Sequence, residues 1–164
     1  IMKNGYLLPE ARTLNLINSH LRACDEPQID NIRTKLSIGL HSDVEVTDVN
    51  HFSGPKVSQA FCSALPVAYS SLEPSLWKNF ASLVLEAAYE ATLWSALRNL
   101  DRGASDKVFL TLLGGGAFGN ETAWIHRALK RAIALFSNFP LDIRLVSYHE
   151  PPYDLQQLVE GLKR

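Results

Sequence analysis

The sequence predicts an α/β domain, and three features predict it. Val108–Leu113 is a mostly apolar, β-type run that enters a glycine-rich loop, Gly114–Gly119. A helix-patterned segment to Phe136 follows with almost no spacer. After Pro140, residues 141–148 alternate between apolar and polar side chains and read as a second strand. Together these make one βαβ unit, expected to be parallel and right-handed. The third feature is Leu76–Leu100, a long segment whose apolar residues nearly encircle a helix. That pattern means a helix buried on most sides.

The individual elements follow from local patterns. In the 120–136 helix, Asn120 is a fair N-cap and Glu121 puts negative charge in the first turn. Ile125, Ala128, Leu129, Ala132, Ile133 and Phe136 share one face, with His126, Arg127, Lys130 and Arg131 on the other. Residues 1–8 give no clear pattern. Pro9 suits the first turn of a helix running to Arg22, and Cys24-Asp-Glu-Pro27 breaks it. Ile29, Ile32 and Leu36 are spaced for a second helix, whereas Leu36, Ile38 and Leu40 are spaced for a strand. The helix, ending near Leu36, is preferred. Val44–Thr47 reads as a short strand, 49–55 as a turn-rich loop, Lys56–Leu65 as a strand ending at Pro66, and 153–162 as a terminal helix.

Bulk properties narrow the function. A chain of 164 residues suits one domain with a real core. A hydrophobic content of 46% with 20% charged residues is ordinary for a globular protein, and a net charge of −1 gives no basic face for nucleic acid. The long helix lacks the basic face of a membrane-surface helix, and no long uncharged apolar run or secretory leader pattern occurs. Cys24 and Cys62 are too few for a disulfide framework and fit reduced thiols of the cytoplasm. The five histidines and two cysteines show no zinc-type spacing, so no metal and no cofactor is expected. Ile1 ahead of Met2 suggests a segment of a longer chain, and residues 1–164 read as a single domain.

The loop is the chief functional signal. Glycine lets the backbone turn with positive φ and approach an anion closely, and the following helix points free N–H groups and its positive dipole end at the same place. Gly114, Gly116 and Gly119 fit G-x-G-x-x-G, but a dinucleotide loop belongs to the first βα turn of a domain and needs more strands after it. The loop lacks the G-K-[ST] of a Walker A motif. A plain turn packing a helix on a sheet is the structural alternative.

The run Leu112-Leu-Gly-Gly-Gly-Ala-Phe-Gly-Asn120, then a helix, then Leu141–Tyr148, resembles the second phosphate loop and last strand of macrodomains. It is closest to the form found in poly(ADP-ribose) glycohydrolases and bacterial effector-type ADP-ribosyl hydrolases. The resemblance spans roughly residues 57–148 and is specific at 112–120. It implies a macrodomain-like mixed sheet with helices on both faces, the N-terminal strands being absent or replaced by helices 9–22 and 28–36. It implies ADP-ribose, free or on a modified protein, as the partner, held by Gly114, Gly115, Gly116, Ala117, Phe118, Gly119 and Asn120. The backbone N–H groups of 115–120 would take the phosphates, and Phe118 would pack on the ribose. Ser63 and Tyr69 would lie beside the ligand, with Tyr148, or its rival Tyr69, stacking on adenine.

Hydrolysis would also need a carboxylate near the oxocarbenium-like ribose. Asp43, Glu45 and Asp48 are the candidates, as three acids in six residues near a strand end. The Gln-Glu-Glu signature of glycohydrolases and the Asn-Ala-Ala-Asn loop common in macrodomains do not occur. The expected function is therefore removal of ADP-ribose from modified protein, ADP-ribosylated ubiquitin among the substrates, in the cytoplasm or in a host cytosol. A non-catalytic ADP-ribose reader and a nucleotide-dependent metabolic enzyme are the alternatives.

Overall fold

The computed structural model describes residues 1–47 and 54–162. The strands are β1 Met2–Lys3, β2 Tyr6–Leu7, β3 Gly39–Glu45, β4 Lys56–Phe61, β5 Lys107–Leu110 and β6 Asp142–Leu145. The α-helices are α1 Ala11–Ala23, α2 Glu26–Arg33, α3 Pro74–Asp101, α4 Thr122–Leu135 and α5 Tyr153–Leu162. The class is α/β, as expected. The expected mixed sheet is not what these strands form: they make three separate two-stranded sheets, β1–β2, β3–β4 and β5–β6. Among the described residues, no helix is long and apolar enough to cross a membrane.

α3 is the axis of the molecule. Trp77, Ala81, Leu85, Tyr89, Leu93 and Leu97 are buried along it, and they meet Leu14 of α1 and Trp124, Ile125, Ala128, Leu129 and Ala132 of α4 in one core. Burying a large apolar side chain stabilises by roughly 1.5–3 kcal/mol, so this spine outweighs what the short strands contribute. The expected βαβ unit is present: β5 and β6 are parallel, with Val108 opposite Ile143 and Leu110 opposite Leu145. Val108 and Leu110 turn inward while Phe109 faces solvent, so the alternation of β5 sets which side packs on the helices.

Two local expectations are corrected, and one element is added where the sequence carries no clear pattern. The strand expected at 44–47 runs instead over Gly39–Glu45, and the helix before it ends at Arg33. β3 pairs antiparallel with β4, with a register break between His41 and Val44. Both strands lie largely on the surface; β4 falls within the expected 56–65 strand and ends at Phe61, whereas the exposed first half of β3 has no buried face to mark it. The helix expected from Gln28 begins at Glu26, because Asp25 and Gln28 form a reciprocal capping box: Gln28 N–H donates to Asp25 Oδ1, and Asp25 N–H donates to Gln28 Oε1, both at 2.9 Å. Finally, Asn4 and Gly5 hold positive φ between β1 and β2, which is the Asn-Gly turn of a tight hairpin.

Candidate functional site: the glycine loop and its aromatic corner

The loop leaves the carboxyl end of β5 and is fixed from two sides. Tyr89, buried on α3, donates its hydroxyl proton to the Thr111 carbonyl and accepts the Leu113 N–H, both at 2.8 Å. Burial pushes the Tyr89 ionisation well above the usual tyrosine range, so the hydroxyl keeps the proton it donates. On the other side, Asn120 is buried and its Nδ2 donates to the carbonyls of Leu65 (2.8 Å) and Gly114 (3.1 Å). Asn120 is therefore not the N-cap of α4. That position falls to Glu121, whose side chain makes no capping bond.

The glycines divide by role. Gly114, Gly116 and Gly119 have φ of +80°, +62° and +67°, the left-handed region that favours glycine. A side chain at Gly114 would run into Ala64 and Asn120, and one at Gly119 would come within 2.7 Å of Ala68. Both glycines are thus required by packing against the 64–68 segment. Gly116 faces open space, with nothing within 4 Å of where a Cβ would stand.

Inside the loop, Gly115 N–H donates to Leu112 O, Gly119 N–H to Gly116 O and Asn120 N–H to Gly114 O. Those three donors, which the sequence reading gave to phosphate, are already used. The N–H groups of Gly116, Ala117 and Phe118 have no backbone acceptor among the described residues. Three consecutive free donors, one residue in a left-handed conformation and the N-terminus of α4 close behind are the elements of which backbone anion nests are built.

The structure brings Phe118 and Tyr69 together, with ring centroids 5.5 Å apart and nearly perpendicular. It adds a third ring that the sequence reading missed. Tyr6 of β2 lies 5.1 Å from Tyr69 and 6.1 Å from Phe118, also edge to face. The Asn4-Gly5 turn was the available signal for the hairpin that carries it. Tyr6 and Tyr69 keep 38% and 47% of their surface exposed, which leaves area for a flat ligand. Tyr148 follows β6, on the edge where both parallel strands end, and is 97% exposed against His149. Ser63 lines a separate open cleft of about 420 Å³ with Leu36, Ile38 and Phe61, and its hydroxyl donates to Ala64 O.

The acids are not brought to this loop. Asp43 sits at the register break of β3, with φ of +56°, and its carboxylate accepts from Arg102 Nη1 at 2.6 Å and Nη2 at 3.0 Å. These bonds hold Asp43 below its ordinary carboxylate range. Arg102 follows the last residue of α3, thirteen residues beyond Tyr89, or roughly 20 Å of helix. The strand gives the same separation: the neighbour of Asp43, Val44, pairs with Val57, six residues or about 20 Å of extended chain before Ser63. Glu45 is at the same far end, opposite Lys56, and accepts the Gly54 N–H at 3.3 Å. Asp48 lies outside the described residues. No group of three or more His, Cys, Asp or Glu residues converges on a metal-sized site among the described residues.

Comparison with protein-family models, curated proteins and solved structures finds no match to this chain.

Proposed function

We propose that this chain binds ADP-ribose, free or carried on a modified protein, at the 114–120 loop in a macrodomain-like arrangement. The observation that carries the reading is the row of three unused N–H groups at Gly116–Phe118 beside the Tyr6–Tyr69–Phe118 corner. A diphosphate needs convergent donors, and the ribose or base attached to it needs an apolar, partly open wall. Both stand on one edge, at the carboxyl ends of parallel strands, where α/β proteins place their ligands.

The same geometry favours a binder. Asp43 is tied to Arg102, roughly 20 Å of helix beyond the Tyr89 that braces the loop, and Glu45 lies on the same ribbon, so neither is positioned to meet a diphosphate or its ribose. Release of ADP-ribose, the hydrolase form of the reading, has no carboxylate from Asp43 or Glu45 at the loop, and Asp48 lies outside the described residues. Thermal shift and calorimetry with ADP-ribose, ADP, NAD and inorganic phosphate test the proposal. The expected result is a rise in melting temperature with ADP-ribose, because a ligand that binds only the folded state stabilises it, and loss of that rise in Gly116→Val. No stabilisation by any nucleotide diphosphate at millimolar concentration would leave the loop as a packing turn. ADP-ribose release from modified substrate by wild type but not by Asp48→Asn would add the hydrolytic step.

A further inference from the structure

A second cleft, of about 270 Å³, opens on the helical side of the molecule, where α1 and α2 meet α3 and α4. Its polar lining is Arg22, Arg33, Lys78, Asn79, Ser82, Glu86 and Arg127. Arg33 is buried and saturated. Its Nε and Nη2 donate to Glu86 Oε2 at 3.0 and 2.7 Å, and its Nη1 donates to Glu26 and Asp30. Glu86, the one carboxylate among the described lining residues, is thereby engaged, and nearby Glu90 is bonded by Arg131.

The remaining cations have no such partner. Arg22 and Lys78 make no ion pair among the described residues, and Arg127 reaches only the Ser82 hydroxyl, at a long 3.5 Å. Ser82 is 8% exposed, and its own proton has no acceptor among the described residues. On the same helix, Thr92 and Ser95 return their hydroxyl protons to the carbonyls four residues back. Lys78 and Ser82 are one turn apart on one face of α3, so an unused buried donor and three exposed cations without ion pairs among the described residues line one cleft.

We propose that this cleft is an anion site, separate from the glycine loop, that takes a small phosphate-class polyanion such as pyrophosphate. Lys78, Arg22 and Arg127 supply charge, and the Ser82 hydroxyl supplies an oriented donor. The volume lies just under the roughly 300–1,000 Å³ typical of drug-sized ligands, which suits a compact anion. The even overall charge argues against a nucleic-acid backbone as occupant.

The inference stands whether or not the loop binds ADP-ribose. NMR titration with inorganic pyrophosphate at low ionic strength, on wild type and Gly116→Val, tests it. Amides of residues 78–86 and Arg127 are expected to shift saturably in both proteins. Affinity at that site is expected to fall about tenfold or more in Lys78→Gln/Arg127→Gln, and to weaken with added sodium chloride. Unshifted α3 amides, or equal affinity in the folded double variant, would overturn it.

Discussion

Tyr89→Phe removes one oxygen and leaves the buried ring in place, so it isolates the brace between α3 and the glycine loop. Two hydrogen bonds are lost, to Thr111 O and from Leu113 N–H. A neutral protein hydrogen bond contributes about 0.5–1.5 kcal/mol net, and a buried group left without a partner costs more. Thr111 is exposed, so water can replace the hydroxyl at its carbonyl, whereas Leu113 is half-buried. The sum is about 2 kcal/mol, which for a domain of this size lowers the melting temperature by about 4–8 °C. The pH dependence is a second signature. Because burial raises the ionisation of Tyr89 in the folded state, the stability it contributes is complete below the usual tyrosine value of about 10 and is lost as pH rises toward the folded value. The wild-type advantage over Tyr89→Phe should therefore narrow above about pH 10. Thermal denaturation of both proteins from pH 7 upward measures this. A melting shift under about 1 °C, or an advantage that does not narrow in alkali, would refute the brace.

Other perturbations read the loop itself. Gly116→Val should stay folded, because a side chain there meets open space, and should lose ADP-ribose affinity by calorimetry; its left-handed φ costs about 1–2 kcal/mol of stability. Gly119→Ala should damage the fold before it reports on binding, since its Cβ falls 2.7 Å from that of Ala68, and circular dichroism should show a lower melting temperature than for Gly116→Val. Asn120→Asp replaces a buried donor by an acceptor facing two carbonyls and should cost about 2–4 kcal/mol by denaturant unfolding; a neutral result would remove the Leu65–Gly114 clamp. Tyr6→Ala should weaken ADP-ribose by about 1–3 kcal/mol while leaving inorganic pyrophosphate unchanged, and Tyr148→Ala, being almost fully exposed, should weaken it less.

What could be read from the sequence was what repeats locally. The spacing of Ile125, Ala128, Leu129 and Ala132 located α4 and its buried face, and the alternation after Pro140 located β6. Leu76–Leu100 gave α3 to within two residues at its start and one at its end. β3 was misplaced because a surface ribbon has no buried face to impose a period. β1 and β2, two residues each, are too short to alternate at all, so the Asn4-Gly5 turn was their only mark. The loop glycines were visible, but their division of labour was not, because it depends on Ala64 and Ala68, some fifty residues earlier in the chain. The same holds for the acids: nothing near Asp43 in sequence announces Arg102, 59 residues on.

The separation between the acids and the loop follows from α3 more than from either site. One helix carries Tyr89, which ties down the start of the glycine loop, and leads directly into Arg102, which ties down the β3–β4 ribbon through Asp43. A helix has little freedom in length, so thirteen residues keep the two roughly 20 Å apart. Two unit charges at that distance interact by only about 0.2 kcal/mol in water, and salt screens even that. The rim acids of the ribbon therefore leave an anion at Gly116–Phe118 undisturbed, whereas a carboxylate about 4 Å from a phosphate would oppose binding by about 1 kcal/mol in water and by more where solvent is excluded. Asp43 is bonded to Arg102, Glu86 to Arg33 and Glu90 to Arg131, so the acid closest in sequence to the Gly116–Phe118 donors is Glu121, the N-cap of α4, and Glu121→Gln should tighten any anion bound there.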